Sequence, residues 1–207
     1  MIRISATQLE TFRRYLDDKM TFEQMRIQLF KLEPPSPIMQ IGSLFHELLQ
    51  AEYIEDKEVP YFNAGDILEA RKKINYQCRN FEVKLRHEII TNSGLDVIVT
   101  GVADQLLPLE VIEFKTRYTP FTFDSYAYSM QWRLYCELFD VPQCTYKVWE
   151  LKRNTKTDIC ELKNYHEISF FRSDKSRTEL LAHIDYFVNF LINTKWDKEP
   201  QFTWSIQ

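Results

Sequence analysis

Residues Asp96 to Lys115 read DVIVTGVADQLLPLEVIEFK. Two apolar, β-branched runs, DVIVTGVADQLL and EVIEFKT, flank a short turn at Pro108, which predicts two strands joined as a hairpin. Side chains at i and i+2 of a strand share a face, so Glu113 and Lys115 stand together and Phe114 points to the other side. Pairing of the two runs brings Asp104 beside Glu113. Two carboxylates and an ammonium then converge on one spot, which suits a divalent cation.

Glu-x-Lys alone is a weak pattern, and the chain contains it five times, beginning at Glu55, Glu82, Glu113, Glu150 and Glu161. Only the Glu113 copy lies in a β-branched run that follows, across a turn, a strand ending in Asp. Glu55 lies in a charged segment, Glu82 opens a strand with no Asp close upstream, and Glu150 and Glu161 flank the polar turn KRNTKTD. Context selects Glu113. With the hairpin alone, a surface salt bridge between Glu113 and Lys115 is an equal reading.

The 207 residues, 44% hydrophobic and 14% aromatic, suffice for one substantial core, and one domain is expected over 1–207. Its parts are an N-terminal helical region over about 1–80, a core over about 81–170 and a C-terminal helix over about 175–194. No apolar run approaches a membrane span, and the start, MIRISATQLETFRRYL, has no apolar signal core, so a cytoplasmic protein is expected. Cys78, Cys136, Cys144 and Cys160 form no C-x-x-C pair and read as reduced structural cysteines. A formal charge of −4 is unusual for a protein that binds nucleic acid, although basic groups recur locally, among them Lys84 with Arg86 and Lys115 with Arg117. For any one such pair, a solvated strand or helix face is the simpler reading.

In chain order, Ser5 with Gln8 forms a capping box for a helix running to about Leu16. A second helix is expected over about Thr21 to Leu32, ended by EPPSP, and a third over Ile41 to Tyr53, with Leu44, Phe45, Leu48 and Leu49 as its apolar stripe. His46 lies on this helix, offset from the stripe. Gly42, one turn earlier, leaves room for close approach. Asp66 to Arg79 reads as a helix, Phe81 to Thr91 as a strand carrying Glu88, and NSGL as the turn into the central hairpin. After the aromatic loop RYTPFTFDSYAY comes a helix over about Ser125 to Phe139, which places Gln131 and Tyr135 on one face. Strands over Cys144 to Leu151 and Ile159 to Phe170 precede a last helix over about Lys175 to Thr194, with Leu180, Ile184, Phe187 and Leu191 facing the core. The expected fold is α/β: a mixed central β-sheet flanked by helices.

Four segments carry a resemblance: GSLFHELL with His46, GVADQLL with Asp104, VIEFKT with Glu113 and Lys115, and MQWRLY with Gln131 and Tyr135. In this order and on these element types, residues 41 to 139 resemble the RecB-type branch of the PD-(D/E)xK nucleases, whose core is restriction-endonuclease-like. The resemblance implies a DNA nuclease dependent on Mg²⁺ or Mn²⁺, with His46, Asp104, Glu113 and the backbone carbonyl of Phe114 as metal ligands. It makes Asp104, Glu113, Lys115, Gln131 and Tyr135 catalytic, and Arg117, Gln131 and Tyr135 DNA-positioning groups. Where some members hold an iron–sulfur cluster through an N-terminal cysteine, this chain has FRRYL, so no cluster is expected. No G-x-x-x-x-G-K-[ST] is present, so a helicase would be a separate partner, as would a single-strand annealing protein. Homo-oligomerisation is compatible with the resemblance, and a setting in recombination, repair or phage DNA processing follows from it. An exonuclease is expected ahead of a structure-specific endonuclease. The reading from another class is a nucleic-acid-binding or assembly subunit that keeps the fold without catalysis.

Overall fold

The computed structural model describes residues 1–52 and 59–203. Its elements run β1 (Ile2–Ser5), α1 (Ala6–Leu16), α2 (Phe22–Phe30), α3 (Pro37–Gln50), α4 (Ala64–Arg71), β2 (Phe81–Ile90), β3 (Asp96–Leu107), β4 (Glu110–Arg117), α5 (Asp124–Ala127), α6 (Met130–Leu138), β5 (Gln143–Arg153), β6 (Cys160–Phe171) and α7 (Asp174–Asn193). Among the described residues six strands form one mixed sheet flanked by helices, the α/β architecture expected from the sequence. Among the described residues no helix is long and apolar enough to cross a membrane.

Strand β3 organises the sheet. Along one edge it pairs antiparallel with β2, from Ile90↔Asp96 to Phe81↔Gln105. Along the other it has two neighbours in succession: β1, parallel, from Ile2↔Val97 to Ser5↔Thr100, and then β4, antiparallel, from Gln105↔Ile112 to Leu107↔Glu110. Between Thr100 and Gln105 that edge has no ladder partner, and the sheet forks. Strand β4 continues parallel to β5, and β5 antiparallel to β6.

The alternation of side chains also breaks at the fork. Val83 packs with the core beneath α1, α6 and α7, whereas Phe81, two residues away, packs with the core beneath α3 and α4. In a regular strand these two would share a face. Glu82 between them adopts a left-handed conformation, φ 52°, and neither Glu82 nor Asp104 takes part in the β2–β3 register. The register is the same on either side, Phe81↔Gln105 and Val83↔Ala103, so no residue is inserted; the ladder is interrupted at one left-handed residue, and the side chains beyond it turn to the other face.

Several boundaries differ from the expected ones. The N-terminal region is not wholly helical: Ile2–Ser5 is a strand whose Ser5 then caps α1, with Gln8 closing the capping box. Helix α2 stops at Phe30, where Lys31 turns left-handed. Helix α3 begins at Pro37 rather than Ile41, because a proline at the first helical position loses no intrahelical bond and Ser36 caps the turn; the expected end at Tyr53 lies outside the described residues. Helix α4 is only Ala64–Arg71, since Arg71 and Tyr76 turn back to the Leu48 and Leu49 carbonyls at the end of α3. The helix expected from Ser125 to Phe139 is two, broken where Ser129 and the Glu10 carboxylate together cap α6.

Helix α6 presses on the sheet at Gly101. A Cβ there would lie 2.6 Å from Tyr135 Cε1 and 2.8 Å from Leu138 Cδ2. Gly42 gives α3 a similar approach to β4, its absent Cβ falling 3.0 Å from Thr116 Oγ1. Substitution Gly101→Ala is therefore expected to lower stability by about 1–3 kcal/mol through overpacking, read as a fall in the urea midpoint at unchanged slope. An unaltered midpoint would show that α6 can retreat from β3 freely.

Candidate active site

The fork gathers side chains from four elements. Asp104 lies on β3 where the β2 ladder is interrupted, and its Oδ2 accepts the Phe114 amide at 2.7 Å. Glu113 on β4 accepts the Asp104 amide on Oε1 at 3.3 Å and the Lys115 ammonium on Oε2 at 2.8 Å. From α6, Gln131 Nε2 donates to Glu113 Oε2 and to the Tyr135 hydroxyl, each at 3.0 Å, and that hydroxyl donates to the Val102 carbonyl at 3.0 Å. From α3, His46 Nδ1 lies 3.4 Å from Asp104 Oδ1, and its ring meets Phe114 edge-on. Two of the backbone groups left without a ladder partner at the fork, Val102 C=O and Asp104 N–H, are thus satisfied by site side chains.

Phe114 itself is fully buried in the core beneath α3 and α4, while Glu113 and Lys115 meet α6 on the other side of β4. The period-2 argument from sequence describes this strand correctly. Asp104 and Glu113 are adjacent, as the hairpin predicts, but beyond the end of the β3–β4 ladder, where side chain-to-backbone bonds replace the ladder bonds. Arg117 stands apart: its Nη2 donates to Thr119 Oγ1, and its guanidinium rests against the rings of Phe121 and Tyr126, outside the cleft that Asp104 and Glu113 share. Glu88 is exposed on β2, opposite Ile98.

Asp104 and Glu113 are 8% and 2% exposed, so both carboxylates sit in a low-dielectric setting. Burial, aided by the nearby Asp104 and opposed by Lys115, pushes Glu113 up to about 8. Asp104 goes the other way: burial would raise it, but His46, Lys115 and the Phe114 amide together hold it below the usual carboxylate range. Lys115 is raised, because Glu113 and Asp104 outweigh burial. It therefore stands as an ammonium ready to donate, not as a base at neutral pH.

The cleft above these groups encloses about 750 Å³. Besides the residues already named, Arg3, Ser5, Lys84, Arg86 and Thr100 line it. Lys84 and Arg86 stand in the sequence as a local basic pair on β2, whereas nothing local marks Arg3, whose place in the cleft depends on the pairing of β1 with a strand some ninety residues away. For a divalent cation the available donors are the Asp104 and Glu113 carboxylates and the His46 imidazole, a hard oxygen and nitrogen set of the kind that Mg²⁺ or Mn²⁺ takes. Glu113 is at present engaged by Lys115 and Gln131, and among the described residues no three His, Cys, Asp or Glu side chains close together around one point.

The chain matches no protein-family model, and no curated protein is similar to it in sequence. Solved structures share its fold. SSO0001 superimposes with a TM-score of 0.53 at 17% identity, over 91% of this chain and 76% of that one. LHK-Exo, an alkaline exonuclease from Laribacter hongkongensis, superimposes in its complex with dAMP with a TM-score of 0.52 at 15% identity, over 92% of this chain and 88% of that one. The fold is thus one that an exonuclease also has.

Because Glu113 binds a proton more readily folded than unfolded, it gives stability that is full below pH 4.5 and is lost as pH rises through about 8. In EDTA, the wild-type protein is expected to lose urea stability between pH 5 and 8 relative to Glu113→Gln, whose profile lacks this component. Parallel profiles for the two proteins would mean that Glu113 titrates normally.

Proposed function

We propose that this protein is a divalent-metal-dependent DNA nuclease that hydrolyses phosphodiester bonds, acting as an exonuclease. The observation that carries this reading is the convergence of Asp104, Glu113 and Lys115 at the fork of the sheet, two buried carboxylates of divergent proton affinity beside a fixed ammonium. Catalytic sites characteristically drive neighbouring titratable groups apart in this way. The fold shared with LHK-Exo, itself an alkaline exonuclease, agrees with it.

In hydrolysis, water adds to phosphorus, negative charge grows on the phosphoryl oxygens, and the bond to one ester oxygen breaks. A bound Mg²⁺ or Mn²⁺ would supply Lewis-acid polarisation and a more acidic water. Asp104, Glu113 and His46 are the residues that would hold it, with the Phe114 carbonyl as a further oxygen. The donor chemistry fits, and a dication would offset both the burial and the Asp104 charge that raise Glu113. Lys115, carried two residues beyond Glu113 on the same face of β4, is placed to donate to the attacking water and to the oxygens on which charge develops. Gln131 and Tyr135 hold the Glu113 carboxylate and the β3 backbone in register, so they position the site and lie where a nucleotide would contact α6.

Asp104→Asn and Lys115→Ala are each expected to reduce cleavage of end-labelled linear DNA by about a hundredfold or more, the scale of one lost transition-state contact. Closed circular DNA should survive the wild-type protein, and EDTA should abolish cleavage. Mn²⁺ should also raise the melting temperature of the wild type and not of Asp104→Asn, a readout independent of turnover. Cleavage of the circle would make the protein an endonuclease. Wild type that binds DNA but cleaves nothing with either metal would favour a non-catalytic subunit.

A further inference from the structure

Strand β2 reads FEVKLRHEII. Val83 and Ile89 pack with the core beneath α1, α6 and α7, so Lys84, Arg86 and Glu88 face the other way. On β1, Ile2 and Ile4 pack into the same core, which turns Arg3 and Ser5 outward with them. The helices on this outer side, α3 and α4, cover chiefly β4 to β6, through Ile112, Phe114, Trp149, Leu151 and Cys160. The β1–β3–β2 part of the sheet is left as one wall of the cleft that leads to Asp104.

The register places the cations on this wall. Lys84 lies opposite Val102, and Arg86 opposite Thr100, whose other neighbour is Ser5. Lys84 and Arg86, two residues apart on one face, are separated by about 7 Å along the strand, comparable to the separation of successive phosphates in a nucleic-acid strand. Farther along β2 the same face carries Glu88, an exposed carboxylate that disfavours a phosphate there. Arg3, in the next row across the sheet, offers the cation instead. The first turn of α1, with Ser5, Ala6 and Thr7 on the cleft, adds the positive end of a helix to the same wall.

We propose that Lys84, Arg86 and Arg3 form a phosphate track that carries one nucleic-acid strand across the wall to Asp104. The track bends from β2 to β1 because Glu88 closes the straight path. It rests on the nuclease reading for what happens at Asp104, but the binding itself does not depend on cleavage. Lys84 and Arg86 are exposed, so their removal leaves the cores untouched.

The test is fluorescence anisotropy of a labelled single-stranded oligodeoxythymidine with the full chain in EDTA, over a range of salt concentrations. Arg3→Ala, Lys84→Ala and Arg86→Ala are each expected to weaken binding and to flatten the dependence of log affinity on log salt by about 0.7, the value for one phosphate contact on a single strand. Lys163→Ala, on β6 at the far side of the sheet, should match the wild type. The three variants binding with the wild-type salt slope would overturn the proposal, as would a wild type that binds no oligonucleotide. A separate cleavage assay with Mn²⁺ distinguishes the two readings. Cleavage by a wild type whose track variants bind normally removes the track alone. The expected slopes in a protein that never cleaves remove the nuclease reading and leave the track.

Discussion

The edge of β3 changes partners between Thr100 and Gln105, and the rest of the site depends on that gap. A strand inside a sheet that loses its neighbour exposes amides and carbonyls, and leaving one buried without a partner costs about 1–3 kcal/mol. Here Tyr135 takes the Val102 carbonyl and Glu113 takes the Asp104 amide. The side chains that complete the sheet are the ones gathered at the head of the cleft. Their positions are consequently fixed by the same bonds that hold β3 and β4 apart, and α6 cannot shift without disturbing both. Gly101 makes this tighter still, because the absence of a side chain there lets Tyr135 lie directly against the strand.

Electrostatics follows from the geometry. Two ionised carboxylates and one ammonium in a buried space would leave a net negative charge that water cannot screen well, and the raised proton affinity of Glu113 opposes it. The groups respond unequally: His46 and the Phe114 amide favour the charged form of Asp104, whereas Glu113 meets more burial and the Asp104 charge. Lys115 lies beside both and is itself held protonated by them. The ionised pair that remains, Asp104 and Lys115, balances in charge, and Glu113 is the group whose protonation answers to what lies beside it.

What the sequence made legible was local. The strand runs about Pro108, the Ser5 to Gln8 capping box and the apolar stripe of α7 each depend on residues a few positions apart, and each appears in the structure. Elements whose cause lies far along the chain were not legible. Strand β1 is four residues long and gains its definition from β3. The break before α6 is enforced by Glu10, 120 residues upstream of the Met130 amide it caps. The end of α4 is set by carbonyls of α3, and the left-handed residue at Glu82 has no glycine to mark it. For the site, the Asp104, Glu113 and Lys115 cluster could be inferred from one hairpin, but Arg3 enters the cleft only through tertiary pairing.

The net charge of −4 is a sum over the whole chain, and the structure distributes it unevenly. Screening confines exposed charges to a range of about 8 Å at physiological salt, so the local charges of the cleft count there more than the sum. Acidic groups elsewhere are often engaged by cations beside them, as Glu10 and Asp17 are by Arg13, and Glu179 by Arg133. In the cleft the signs are sorted: Arg3, Lys84 and Arg86 lie on the outer wall, and the carboxylates lie at the fork. A polyanion would meet the two regions differently, attracted by the cations of the wall and repelled by the Asp104 carboxylate at the fork.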